Sequence, residues 1–422
     1  MSPATSLTRN QKLAALAFVL GVALVYYASH PLLLCRQLII RDDEALYARL
    51  HLGNDLPYAW LTESDYSFRL AEALLQGKLG LTEPPPEWVN ETIPLRGRYY
   101  SVFPLGSVLT MLPFALAHRL IAFSPSGAAI ALIGALATFL FLRFALRCGR
   151  NFRDAVWLTL FSTLGTWLWT NTAMGGAWQL ALGFAMTGEL AAILCTSAAP
   201  RPFLAGLFFA FAFGNRTEVV LTAPIFIYRL LRDSESSRQL RARMVMRFCA
   251  LPLVLGVATL FYNYVRFGSP FDFGLARLPG VLAEPWYGHG IFSVRAIPAN
   301  AWQMLLEPWR RVAHSPWLLP DGFGGSIFFN APFLFCIFLP RPSRNLAAWI
   351  AIALLTSVFW CHGNTGGWQF SYRGAIVMLP WFFLLLLEYT PLRRWQIALI
   401  CFSIGINTCA TFFFLWTNWI QP

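Results

Sequence analysis

The sequence predicts an all-α, polytopic membrane protein. Three observations predict it: a strongly apolar composition, long apolar runs, and basic residues concentrated in short segments between those runs. Of 422 residues, 57% are hydrophobic and 12% charged, about half the charged share (~25%) of ordinary soluble domains. A soluble chain of this length would make about three domains, and this one has too little polar surface to solvate them. Aromatic residues reach 16% and the 8 cysteines are scattered, which excludes disorder and a disulfide scaffold. No CxxC or Cys/His spacing points to zinc. The net charge of +12 sits where Lys and Arg set membrane orientation, so no nucleic-acid partner is expected.

A span needs about 20 apolar residues. About eleven runs qualify within one integral membrane domain, 1–422: 12–34, 103–122, 126–146, 155–173, 177–197, 203–231, 248–266, 323–340, 345–361, 374–390 and 394–416. The first follows Arg9 and Lys12. It is too long for a signal-peptide core and reads as an anchor. Segment 229–247 carries Arg229, Arg232, Arg238, Arg241, Arg243 and Arg247 and is expected to be cytoplasmic, with Arg341/Arg344 and Arg393/Arg394 on the same side. That places the N-terminus inside and the C-terminus outside, in a plasma (inner) membrane, with the long segments 35–102 and 267–322 both outside. One loop disagrees. Arg143, Arg147, Arg150 and Arg153 fall on the outer side in this scheme. Either that loop has a task, such as binding an anionic lipid headgroup, or the span count in the first half is wrong.

Segment 35–102 holds ten of the 20 acidic residues. Phe68, Ala71 and Leu74/Leu75 recur at helical spacing, Thr62 with Asp65 fits a capping box, and Gly77 fits a stop. The spacing therefore predicts an amphipathic helix over 63–76 on the outer membrane surface. The stretch from Arg96 to Gly106 follows, with Arg98, Tyr99 and Tyr100. It suits a phosphate with an apolar tail, or an aromatic belt with snorkelling arginines. The run 203–231 is interrupted by Gly214-Asn215-Arg216-Thr217-Glu218, tolerable at membrane depth where it lines a cavity or is buried in protein. Glu189, Arg216 and Glu218 are ionisable within spans, a functional signal by default. Arg216 and Glu218, two apart, would not face each other on a regular helix.

In 267–322, Glu284-Pro-Trp286-Tyr287-Gly-His289 has the composition that stacks on sugar rings and binds hydroxyls; any ordered interfacial loop looks similar. Between the ninth and tenth runs lies His362-Gly-Asn-Thr-Gly-Gly-Trp368-Gln-Phe-Ser-Tyr-Arg373. Its glycines let backbone approach a ligand closely, and Arg373 heads a span where it can hold an anion.

An apolar anchor, an acidic outer loop with a juxtamembrane helix and an aromatic Pro/Gly segment entering the second span resemble the plan of GT-C glycosyltransferases. The stretches that carry the resemblance are Asp65–Leu79, Gly97–Pro104, Tyr262–Pro270 and Gly367–Arg373. They look like bacterial members related to protein O-mannosyltransferases and the lipid A aminoarabinose transferase. The resemblance implies transfer of a sugar from a polyprenyl-phosphate donor to a hydroxyl of a glycan, lipid or protein at the outer membrane surface, with inversion. It implies that an acid of the first outer loop is the base. By motif position this is Asp65, with Asp42 and Asp43 the rivals. Arg98, Arg373 and Tyr99 would hold the donor phosphate, and Glu284, Trp286, Tyr287, His289, His362 and Trp368 would line the substrate. A histidine common in relatives after the fourth span is replaced here by Gly176-Ala-Trp178-Gln179. No cofactor is expected and nothing in the spacing supports a divalent metal. A transporter or flippase of lipid-linked sugars or small molecules is the rival reading. It would favour inverted repeats and broken helices in both halves.

The arginine distribution makes one expectation directly testable. A reporter fused after Pro422 should read out on the outer face, and one inserted near Ser236 on the cytoplasmic face. A cytoplasmic C-terminus would remove the arrangement.

Overall fold

The computed structural model describes residues 7–30, 66–84, 91–197, 199–232, 237–313, 315–339, 345–417 and 419–420. Asp42, Asp43, Asp65, the cap at Thr62, and Arg341 and Arg344 lie outside these residues. The described chain is mostly helical. Among its helices, five are long and apolar enough to cross a membrane.

Helix α1 (Arg9–Ser29) starts with a Thr8/Gln11 capping box. Helix α2 (Tyr66–Leu75) occupies the expected amphipathic stretch, buries Phe68 and Ala71, and is followed by Gly77 at φ +73°. The next segment is not purely interfacial coil: β1 (Thr92–Leu95) and β2 (Arg98–Ser101) pair as an antiparallel hairpin. Its turn places Arg96 and Gly97 at φ 52° and 71°, the geometry of a two-residue primed turn.

Helix α3 (Leu105–His118) has 14 residues, about 21 Å of rise, short of a ~30 Å apolar layer. It lies along α2 instead. Ser67 donates to Ser107 at 3.3 Å near one end, and Glu72 approaches His118 at 4.0 Å at the other. Helix α4 (Pro125–Arg147) runs antiparallel to α1. Gly134 is pressed against Tyr26, while Arg143 and Arg147 share a groove with Lys12. The expected span 155–173 is two helices, α5 (Phe152–Leu164) and α6 (Leu168–Met174), separated at Gly165. Helix α7 (Ala177–Cys195) is buried along nearly its whole length.

The run 203–231 is not one span. Helix α8 (Pro202–Asn215) rises antiparallel to α7, a 3₁₀ turn covers Thr217–Thr222, and α9 (Ala223–Arg232) descends again. Arg229 donates to Thr196 at 3.1 Å, at the same end of α7 where α8 began. The hairpin exists because Arg216, at φ −137° and ψ 106°, leaves the helix. Gly106 and Gly214 let α3 cross the tip backbone to backbone; a Cβ on Gly106 would sit 2.4 Å from Gly214. Asn215 donates to Thr110 at 2.9 Å.

Helix α10 (Arg238–Phe267) is 30 residues long. It includes Arg238, Arg241, Arg243 and Arg247, so those arginines are helical rather than loop; Ser237 caps it and Arg, Gln, Leu, Ala and Met favour helix. After α11 (Ile297–Leu305), the expected span 323–340 is a short helix, α12 (Ile327–Asn330), followed by 3₁₀ structure over Pro332–Phe338. Pro332 cannot continue the ladder, and Asn407 donates to the freed Asn330 carbonyl at 2.8 Å. Helix α13 (Leu346–Cys361) returns. Residues 373–389 combine 3₁₀ turns with α14 (Leu379–Leu386), and α15 (Arg394–Leu415) closes the bundle.

These packings sort the ends. Asp154 accepts from Leu392 N at 3.2 Å at the basic end; Trp416 donates to the Ser29 carbonyl at 3.0 Å at the other. Arg143 and Arg147 therefore share an end with Lys12, which corrects the expected placement of that loop. Two runs depart from the single spans expected of them: α3 is short and lies along α2, and 203–231 returns to where it began. Five described helices are long and apolar enough to cross a membrane, and α1 begins at the end opposite to where α15 finishes.

The close crossing of α8 over α10 gives a stability test. A Cβ on Gly206 would sit 2.1 Å from the Phe248 carbonyl, whereas Gly256 has open space. Gly206→Ala should cost about 1–3 kcal/mol through forced separation, while Gly256→Ala should cost nothing, alanine being the better helix former. Thermal unfolding of both in detergent checks this; equal melting would mean α10 can slide freely.

Candidate active site

At the end away from the arginines, four segments that are distant in sequence meet around Trp178, the first-turn residue of α7. Its indole N–H donates to Glu91 Oε2. The Arg216 guanidinium lies 5.1 Å from its ring centroid and that of Arg373 lies 5.8 Å away. Phe103 packs on the same ring at 4.6 Å. Both guanidiniums are thus within cation–π range of one indole.

Each group is placed by local structure. Glu91 precedes β1, and its N–H donates to the Tyr66 hydroxyl at 3.2 Å, which ties the hairpin to the start of α2. Arg216 and Glu218 form an ion pair, with Nε and Nη2 both 2.7 Å from Glu218 Oε1. Residues two apart would not face each other on a regular helix; they meet here because Arg216 is extended, not helical. Arg373 is gripped by its own loop. Its Nη1 donates to the Gly367 carbonyl at 2.9 Å, and its N–H donates to Gln369 Oε1 at 2.9 Å. Gln369 Nε2 reaches the carbonyls of Gly366 at 2.7 Å, Thr365 at 3.0 Å and Phe323 at 2.7 Å. Gly366, at φ +100°, passes so close that a Cβ would sit 2.8 Å from Arg373 Nη2. In the same loop Trp368 and Ser371 adopt φ 47° and 57°, a conformation non-glycine residues hold only when the surroundings impose it.

The wall opposite is aromatic. Tyr287 is buried, and its ring meets His362 edge-on at 5.9 Å. His362 Nδ1 lies 2.6 Å from the Asn364 carbonyl. Burial, with the neighbouring Glu284 and Glu91 carboxylates, pushes the Tyr287 hydroxyl up to about 12. Burial lowers His362, and nearby Arg216 and Arg373 lower it further. Burial raises the Glu91 carboxyl above the ordinary value, while the Trp178 hydrogen bond and Arg373 pull it down. Among the described residues, no group of three or more His, Cys, Asp or Glu is placed to hold a metal ion.

Arg373, Tyr287 and His362 therefore converge, with Glu284 close enough to influence Glu91, while the Trp368 ring packs on Phe414 at 5.4 Å. Arg98 and Tyr99 do not join them. Arg98 is exposed at the hairpin tip, three strand steps or roughly 10 Å from Thr92, and Tyr99 exchanges backbone hydrogen bonds with Leu81 at 2.9 and 3.0 Å. Trp286 and His289 are also exposed, with Trp286 donating to Glu284 at 2.6 Å and His289 beside Arg295 at 3.3 Å. Sequence reading did not single out Glu91 among ten loop acids or Trp178 as the hub. Within Gly176–Gln179, nothing in the sequence alone marks Trp178 as a hub. Glu189 stands apart: buried, it accepts from Trp381 at 2.8 Å and Thr222 at 3.3 Å, and so pins the hairpin.

No protein-family model and no curated protein matches this chain. Among solved structures, the apo form of an oligosaccharyltransferase of Archaeoglobus fulgidus is similar, with 14% identity and a TM-score of 0.48 over 96% of this chain and 56% of that one. The chain spans about half that protein's length.

The raised Glu91 carboxyl has a measurable consequence. Stabilisation by its neutral form is full below the unfolded carboxyl value and is lost as pH rises through the folded one. The parent should lose stability over that acid-to-neutral window relative to Glu91→Gln. Melting curves of both proteins in detergent across about pH 4–7 test this; parallel curves would mean Glu91 is solvated.

Proposed function

We propose that this chain is a membrane glycosyltransferase of the GT-C kind. It moves a sugar from a polyprenyl-phosphate donor to an acceptor hydroxyl on the outer side of the membrane. The observation that carries this reading is the Arg373–Arg216 pair, held beside Glu91 and Trp178 at one end of an apolar bundle. A fixed pair of guanidiniums suits a phosphate that gains charge as it leaves. The apolar bundle beside it suits a lipid tail, and the indole and Tyr287 suit a sugar face. The motifs that resemble GT-C enzymes fall on this cluster at Gly367–Arg373 and on its neighbours at Gly97–Pro104.

The chemistry balances simply. The acceptor oxygen attacks the anomeric carbon, the bond from that carbon to the phosphate oxygen breaks, and the phosphate leaves with the electron pair. A carboxylate takes the acceptor proton. Asp65 is assigned that role by motif position, with Asp43 and Asp42 as rivals. Tyr66, the next residue after Asp65, touches Glu91, so Glu91 enters as a further candidate. Burial raises its carboxyl above the ordinary value, the direction that favours proton uptake.

One kinetic series separates these roles. Arg373→Lys keeps the charge but loses the fork of donors and should raise the donor concentration needed for half-saturation. Arg373→Ala should raise it further, with acceptor dependence little changed. Asp65→Asn should lower transfer by ~10²–10⁴-fold at normal expression. A large loss in Asp43→Asn or Glu91→Gln with Asp65→Asn active would move the base to that residue. Donor saturation in Arg373→Ala equal to the parent would reduce Arg373 to an anchor.

A further inference from the structure

At the basic end, far from the site, α1 and α4 part to leave a groove of about 580 Å³. This is the size of small-molecule pockets (~300–1,000 Å³). Its walls are apolar: Leu16 and Val19 from α1, Phe139 and Leu142 from α4. Its rim is cationic: Lys12, Arg143 and Arg147. Among the described residues, none of these three cations has a carboxylate within 4.0 Å. Leu16 and Phe139 are 57% and 49% exposed, so the groove opens sideways as well as toward its charged rim. It is not the donor site. Lys12 lies near the start of α1, and the Ser29 end of α1 meets Trp169 and Trp416 at the opposite face.

We propose that this groove is a structural binding site for an anionic phospholipid. One acyl chain lies between α1 and α4, and the phosphate is held by Lys12, Arg143 and Arg147. Charge and shape select this occupant together. Three unpaired cations at the mouth favour an anion. An open apolar trough below them favours a chain rather than a free ion. Arginines at this depth reach a phosphodiester with several donors at once. A bound chain would also fill the groove that the Lys12–Val19 and Phe139–Arg147 stretches line beyond the tight Tyr26–Gly134 contact.

The test uses the full chain in detergent with phosphatidylglycerol, phosphatidylcholine or inorganic phosphate added, read by native mass spectrometry and thermal unfolding. Phosphatidylglycerol should be retained and should raise the melting temperature more than phosphatidylcholine does, and inorganic phosphate should not compete. Each basic residue near an anionic headgroup contributes about fivefold in affinity. Lys12→Gln/Arg143→Gln/Arg147→Gln should therefore erase the preference by on the order of a hundredfold. Ala15→Trp fills the trough and leaves every cation in place; it should also abolish retention, and it decides the matter if the triple variant does not fold. Unchanged preference in either folded variant, or displacement by inorganic phosphate, would overturn the proposal.

Discussion

The structure depends on a helix that breaks. Arg216 and Glu218 pair only because the backbone at Arg216 is extended, and the chain then turns back on itself instead of crossing. An unpaired charge at this depth would cost several kcal/mol, so a pair made within the break is what permits either charge to be there. The break has its own supports. Gly106 and Gly214 let α3 cross the tip, Asn215 ties the tip to Thr110, and Glu189 holds the descending arm through Thr222. With the tip fixed, the Arg216 guanidinium lies against Trp178, and Trp178 fixes Glu91. One residue leaving the helix thus places the Arg216–Glu218 pair against Trp178, while Arg373 is held by its own loop.

Much of this was legible in residue order. Apolar runs located most helices, because burial in protein and burial in lipid ask for the same composition. The polar interruption at Gly214–Glu218 marked the tip, and glycine around Arg373 marked the loop that grips it. What composition could not reveal was direction. A run of 29 residues reads the same whether it crosses once or folds in half, and a 14-residue helix with Pro113 reads like the core of a span. The arginines held the missing information. Arg143 and Arg147 conflicted with the expected side, and their place beside Lys12 removes the conflict. Charge placement carries information that hydropathy lacks, since a cation has only one cheap side while an apolar helix has several cheap positions.

The site was less legible, for a related reason. Arg373 and His362 stand in a conspicuous loop, but Glu91 is one acid among many and gains its meaning only from Trp178. Arg98 had the composition of a phosphate ligand and sits at a hairpin tip, because the two-residue turn at Arg96–Gly97 sets the register. Pairing across a strand or a helix break is a three-dimensional fact that spacing alone does not encode.

The charge balance of the cluster says why it suits a phosphate. Arg216 is already answered by Glu218 at 2.7 Å. Among the described residues Arg373 has no carboxylate within 4.0 Å; the acid that acts on it most strongly is Glu91, whose carboxyl burial pushes up and which accepts from an indole N–H. Because burial disfavours the Glu91 carboxylate, Arg373 is left undercompensated in an apolar setting. That state is costly empty and stable with an anion bound. As a bound phosphate took over Arg373, the Coulombic pull on Glu91 would weaken and its proton affinity would rise further. An anion at Arg373 would therefore favour a proton at Glu91, which couples the two through a single guanidinium.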